Sequence, residues 1–203
     1  MIPALNIYFP GKLVFGNNCL ANLSEEIAIL NPQHVLIVTI TPLLAKLDAL
    51  VSQLNSKGIA VDIDTSILQE PSFSDFETLI EKVAPLNPDV VVGIGGGSVL
   101  DIAKLVAAQL DNTQQLRDYV GIGLLNGRKK KLICVPATAG TGSEASPNAI
   151  LVDDIDHQKK GIISPFLVPD IIYVDPLLTI SVPPQITAAT GLDALTHCLE
   201  AYT

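Results

Sequence analysis

Two glycine- and hydroxyl-rich stretches and one Asp–His pair hold the residue types in this sequence that could do chemistry. The first stretch is Gly95-Gly96-Gly97-Ser98, set between the apolar run Val90 to Ile94 and a segment of helical period. Glycine at 95, 96 and 97 permits positive φ and leaves no Cβ to hold a ligand away. A helix starting behind these glycines presents unpaired N–H groups and a positive dipole end, which suits an anionic phosphate. A tight strand-to-helix turn would use the same residues, and Ser98-x-x-Asp101 also has the spacing of a capping box. The pattern is not G-x-G-x-x-G, so the usual dinucleotide fingerprint is not claimed.

The second stretch runs from Pro136 to Glu144. Thr138 and Thr141 supply hydroxyl donors, while Gly140 and Gly142 allow close backbone approach. Taken alone it also reads as a flexible loop, but its place after the buried run Leu132 to Val135 favours a ligand loop. The third element is Asp193 with His197, four residues apart and hence on one helix face. A carboxylate oxygen and an imidazole nitrogen so placed can share one divalent ion, although the same spacing suits a surface pair. Leu192, Ala194, Leu195, Cys198, Leu199 and Ala201 make this helix mostly apolar, which predicts its burial.

The elements that must position these residues alternate between two periods. Val90 to Ile94 has no polar residue to turn towards water, so it reads as a central strand covered on both faces. Leu100, Ala103, Val106, Ala107 and Leu110 then mark a helix. Upstream, Ile7 to Phe9 and Leu13 to Phe15 flank Pro10-Gly11 and predict a small hairpin or edge pair. A helix through Leu20 to Leu30, a strand at 35–39, a helix after Pro42 ending at Gly58 and a short strand at 60–63 follow. Ser74 to Glu77 reads as a capping box opening a helix towards Leu86. Downstream, 149–152 and 160–163 form a hairpin around the polar tip Asp153 to His157, and 171–174 is the last strand. Ser181 to Pro184 resembles a helix start.

Strands alternating with helices at this spacing indicate a Rossmann-like α/β fold, a parallel sheet with helices on both faces. Ligands of such sheets sit at the carboxyl ends of the strands, where both glycine loops lie. The boundary of this unit is expected near Asp175-Pro176, giving an α/β domain over 1–176 and the start of a second unit over 177–203.

The chain has 203 residues, 48% of them hydrophobic and 16% charged, and a formal net charge of −9. Such a surface repels nucleic acid and anionic membrane, and the run Arg128 to Lys131 reads as a solvated turn. Three scattered cysteines and no leader-like start predict a reduced, cytoplasmic protein, and no segment is apolar for long enough to span a bilayer.

Four motifs in order make the sequence resemble the iron-containing (group III) alcohol dehydrogenases. They are Gly95 to Ser98 with Asp101 and Lys104, then Pro136 to Glu144, Pro169-Asp170 through Pro176, and Ala188 to His197. The resemblance implies a dinucleotide-binding α/β domain followed by an all-helical domain, of which 177–203 would be the first helix. It implies NAD or NADP on Gly95, Gly96, Gly97 and Ser98, with Thr138 and Thr141 at the phosphates and nicotinamide side and Lys160 near the nicotinamide ribose. It implies Fe²⁺, or alternatively Zn²⁺, held by one Asp and three His, of which Asp193 and His197 match the first two. His34 and His157 match neither of the others, so the metal site is incomplete in these residues and the chain reads as part of a longer protein.

Where many members carry an Asp that binds the adenosine ribose stands Ile40, and Ala137 replaces the first Thr of a Thr-Thr pair. The reading is the cofactor-binding part of a metal-dependent alcohol dehydrogenase acting on a small alcohol or aldehyde, with no identifiable side-chain base and with homo-oligomer formation expected. A glycerol dehydrogenase or dehydroquinate synthase relative, or a catalytically inactive nucleotide-binding fragment, are the alternatives.

Overall fold

The computed structural model describes residues 6–67 and 69–203. Its frame is a six-stranded, wholly parallel sheet made of β1 (Lys12–Phe15), β2 (His34–Val38), β3 (Ala60–Asp64), β4 (Val90–Gly95), β6 (Lys131–Pro136) and β9 (Ile171–Val174). The spatial order is β1-β9-β6-β4-β2-β3, so β4 lies in the interior and its six residues are all buried.

Alternation along the strands separates the core into two layers. Val35 and Ile37 of β2, Val90, Val92 and Ile94 of β4, and Ile133 and Val135 of β6 face α1 (Leu23–Ile29) and α2 (Leu44–Ser56). Leu36, Val38, Val91, Leu132 and Cys134 face α3 (Phe73–Val83) and α4 (Gly97–Gln109). Each fully covered aliphatic side chain stabilises the fold by about 1.5–3 kcal/mol, and the strands supply them on both faces. A second, three-stranded sheet joins β5 (Gly121–Ile122), β8 (Lys159–Ile163) and β7 (Asn148–Val152), with β7 and β8 forming the antiparallel hairpin that the sequence predicts.

Several local expectations are corrected. There is no N-terminal hairpin: β1 is an edge strand that pairs in parallel with β9, and residues 7–9 form no strand. The capping box of α3 uses Ser72 and Asp75, two residues earlier than the sequence suggests, because Ser74 is held by Asp154 from the β7–β8 hairpin. Arg128 to Lys131 is not a solvated turn. Arg128 binds Asp170 and the Phe166 and Val168 carbonyls, and Lys130 reaches Asp111 and Asn87.

The last helix, α5 (Pro184–Tyr202), starts with Pro184 in its first turn and Pro183 at its cap, while Ser181 instead accepts a hydrogen bond from Lys46. Its expected burial is not found. No residue of α5 is buried, and Leu192, Leu195 and Leu199 are more than half exposed. Cys19 and Cys134 are buried free thiols and Cys198 an exposed one. Among the described residues no helix is long and apolar enough to cross a membrane.

Candidate functional site

The site is built by register. Gly95 at the end of β4 pairs with Pro136 at the end of β6, so both loops leave neighbouring strands at the same level. The Ala137 amide donates to the Gly95 carbonyl at 2.8 Å and carries this pairing one residue further. On the other side, the buried Thr39 hydroxyl donates to the Ile94 carbonyl at 2.8 Å, tying the end of β2 to β4 and placing Ile40 beside the glycines.

The chain then closes up around Gly96 and Gly97. A Cβ on Gly97 would stand 2.9 Å from Thr141 Cγ2, closer than two carbons can sit, whereas a Cβ on Gly96 would meet Thr138 only at 3.5 Å, an ordinary contact. Neither glycine has positive φ, and Gly96 is plainly extended at φ −79°. Their use is therefore close approach of backbone rather than the left-handed conformation that the sequence also permitted. On the far side of the loop, a Cβ on Gly140 would strike Thr190 Cβ at 2.7 Å, which seats α5 directly on the Thr138–Gly142 segment.

These approaches bring Gly96, Gly97, Ser98, Thr138, Thr141, Asp193 and His197 into one cleft with two adjoining parts, whereas Gly95 is buried at the end of β4 against Val99 and lines neither. One part, about 420 Å³, is lined by Ile40, Gln69, Gly96, Thr138 and Thr190. The other, about 280 Å³, is lined by Asp101, Ser143, Lys159, Asp193 and His197. Glu70, Gly97, Ser98 and Thr141 line both. At their junction α4 begins with Gly96 as N-cap and no side chain capping it, so its first N–H groups remain available. The capping box suggested by Ser98 and Asp101 does not form, because Asp101 turns away to accept from the Ser143 hydroxyl at 2.5 Å and the Ile150 amide at 3.0 Å.

Lys160 is not among the residues lining this cleft: its ammonium joins Asp156 within the hairpin at 2.5 Å. The lysine on the cleft wall is Lys159, paired with Glu70 at 2.5 Å. Successive residues of a strand point to opposite faces, so a displacement of one position exchanges the two.

Asp193 Oδ1 and His197 Nε2 lie 3.7 Å apart, both about half exposed and both on the cleft wall. Their oxygen and nitrogen donors fit two positions of a divalent ion's shell. Among the described residues no group of three or more His, Cys, Asp or Glu side chains converges, so two donors are what these residues offer.

Sequence reading assigned no role to Lys104, although a lysine in a helix otherwise apolar nearly all round was a signal. It is fully buried. Its ammonium donates to the Ser143 hydroxyl at 2.9 Å and to the Asn148 and Ser146 carbonyls at 2.8 and 3.2 Å, and lies 3.6 Å from Asp101. Burial pushes the Lys104 ammonium below its ordinary pKa and the Asp101 carboxyl above its own, while each opposes the shift of the other.

Comparison with known proteins places this geometry. A family model for iron-containing alcohol dehydrogenase matches residues 10–176. The chain is 38% identical over 202 residues to long-chain-alcohol dehydrogenase 1 of Geobacillus thermodenitrificans, covering 97% of this chain and 50% of that protein. The crystal structure of a 1,3-propanediol oxidoreductase superposes with a TM-score of 0.90 at 30% identity, over 98% of this chain and 53% of that one. That of sulfoacetaldehyde reductase from Bifidobacterium kashiwanohense in complex with NAD⁺ superposes with a TM-score of 0.80 at 28% identity, over 94% and 51%. The chain spans about half the length of the curated relatives it matches.

Proposed function

The chain belongs to the iron-containing alcohol dehydrogenase family, and from that premise we propose that it is the cofactor-binding part of a dehydrogenase acting between an alcohol or aldehyde and NAD or NADP. The observation that carries the proposal is the meeting, in one cleft, of the Gly96–Gly97 turn, the Thr138–Thr141 loop and the Asp193–His197 pair. The solved complex of a relative with NAD⁺ supports the same cofactor class.

In this reading the dinucleotide's phosphates lie over Gly95, Gly96, Gly97 and Ser98. The open Cβ position at Gly96 admits them, and the first-turn N–H groups of α4 face them with the positive end of the helix dipole. Thr138 and Thr141 offer hydroxyl donors from the opposite lip. Ile40 takes the adenosine side, and Lys159 supplies a cation on the wall that Asp193 and His197 share. Asp193 and His197 would hold Fe²⁺ or Zn²⁺ as two of its donors. When bound, the nicotinamide exchanges hydride and the metal polarises the substrate oxygen. No side chain of the cleft is assigned as a general base.

The test is isothermal calorimetry of NADH on the chain and on its Gly97→Leu variant, whose side chain must push against Thr141. Saturable binding by the chain, lost in the variant, is the expected result. No heat of binding from the unaltered chain would reject the proposal.

A further inference from the structure

We propose that Lys104, with Asp101 and Ser143, is a positioning device that fixes the loop of residues 137–146 against the first turn of α4, and so sets the gap into which the dinucleotide fits. The inference rests on the reading of the cleft as a nucleotide site, and goes beyond it by assigning work to a side chain that faces no ligand.

Lys104 is fully buried and is not among the cleft-lining residues, so it cannot meet a phosphate directly. Every hydrogen bond it donates ends on residues 143 to 148, across from its own helix. Asp101, one turn earlier on α4, reaches the same segment through Ser143 and the Ile150 amide. The Ser143 hydroxyl is shared, donating to Asp101 and accepting from Lys104. Two side chains of one helix thus grip the far segment at four residues, Ser143 and Ser146 in the loop and Asn148 and Ile150 in β7, and their charges balance, which keeps the burial of both tolerable.

The grip acts where fit is decided. Ser143 lies two residues after Thr141, and its amide donates to the Thr141 hydroxyl oxygen at 3.2 Å. Thr141 in turn is packed on Gly97 within 3 Å of where a Cβ would stand. A loop released by 1 Å would therefore widen the gap beside Gly97 first. The Gly96–Thr138 side, anchored separately by the Ala137–Gly95 backbone bond, would be disturbed less.

The test compares Lys104→Met with the unaltered chain using two probes, NADH, which spans both parts of the cleft, and adenosine 5′-monophosphate, which reaches only the Ile40 side. Amide hydrogen exchange over residues 137–146 is followed in parallel. The expected result is that the ratio of NADH to adenosine monophosphate affinity falls about tenfold, the scale of one lost charged hydrogen bond, with faster exchange confined to the loop. A purely structural lysine would lower stability and weaken both probes alike, and that outcome, or an unchanged ratio, overturns the proposal. Should Lys104→Met fail to fold, Lys104→Gln, which keeps an amide donor at the same buried position but removes the charge, carries the same comparison. If the unaltered chain binds neither probe, the nucleotide reading itself falls, a failure visible before any variant is made.

Discussion

Thr141 and Gly97 touch so closely that a side chain on the glycine would overlap the threonine methyl, at 2.9 Å. That contact joins the loop after β4 to the loop after β6, and it leaves Gly96, one residue earlier, with room for a Cβ in ordinary contact with Thr138 at 3.5 Å. The site is a slot between two loops on adjacent parallel strands, at the carboxyl edge where α/β sheets take their ligands.

Cofactor choice follows from Ile40. Ile40 itself offers no carboxylate to repel a 2′-phosphate, Glu70 on the same part of the cleft is paired with Lys159, and no arginine lines that part to attract one. The dissociation constants for NADH and NADPH should differ by less than about a hundredfold, and Ile40→Asp should weaken NADPH relative to NADH by about tenfold. Calorimetry with both cofactors checks this. A larger intrinsic preference in either direction would mean that other residues do the selecting.

The two adjacent lysines should separate cleanly. Lys159→Ala removes a cation from the cleft wall and should weaken NADH about threefold to tenfold, whereas Lys160→Ala breaks only an exposed pair with Asp156 and should change it less than about twofold. The reverse order would place Lys160 at the nicotinamide ribose after all.

Much of this arrangement was legible in the sequence, and the failures share a cause. The β4 strand, the glycine turn and α4 are readable because composition and period change within a few residues. The capping-box spacing of Ser98 and Asp101 misleads because the partners of Asp101, Ser143 and Ile150, lie more than forty residues away. Arg128 and Lys130 looked solvated for the same reason, since Asp170, Phe166 and Asp111 are brought to them by the fold. The pairing of Lys159 and not Lys160 with the cleft depends on strand register, which two consecutive lysines do not reveal. In α5 the Ser181 to Pro184 start signal announces the helix, whereas the apolar composition predicts a burial that is not found, because composition says nothing of what packs against it.

Acid should weaken the junction between the β7–β8 hairpin and the rest. Arg117 donates two hydrogen bonds of 2.9 Å to Asp153 and holds its carboxyl down at about 2, against an ordinary value of 3.8. A folded value below the unfolded one means that the pair's contribution is present above about pH 4 and is lost as pH falls through about 2. The Tm difference between the chain and Arg117→Met should therefore shrink on acidification over that window. Part of it should persist in acid, because Arg117 also lies 4.8 Å above the Phe73 ring. A difference that grows as pH falls would contradict the assignment.

Metal should be held weakly by these residues alone. Catalytic zinc-type sites take three protein ligands, and Asp193 with His197 supplies two. Fe²⁺ or Zn²⁺ should bind to the chain reversibly, be stripped by brief dialysis against a chelator, and lose at least about tenfold in affinity in His197→Ala. Retention through dialysis, unaffected by His197→Ala, would show that the ion sits elsewhere.

The central claim is that the slot beside Gly96 receives the cofactor's phosphates, and Gly96→Val tests it most directly. In the ligand-free chain the new Cβ has room, because its nearest neighbour is Thr138 at 3.5 Å. The fold should survive, with Tm within a few degrees, while the branched side chain fills the space that the phosphates need. Calorimetry should find NADH affinity reduced by at least about a hundredfold, roughly 2.7 kcal/mol. A folded Gly96→Val chain that binds NADH as tightly as the unaltered one would contradict the account.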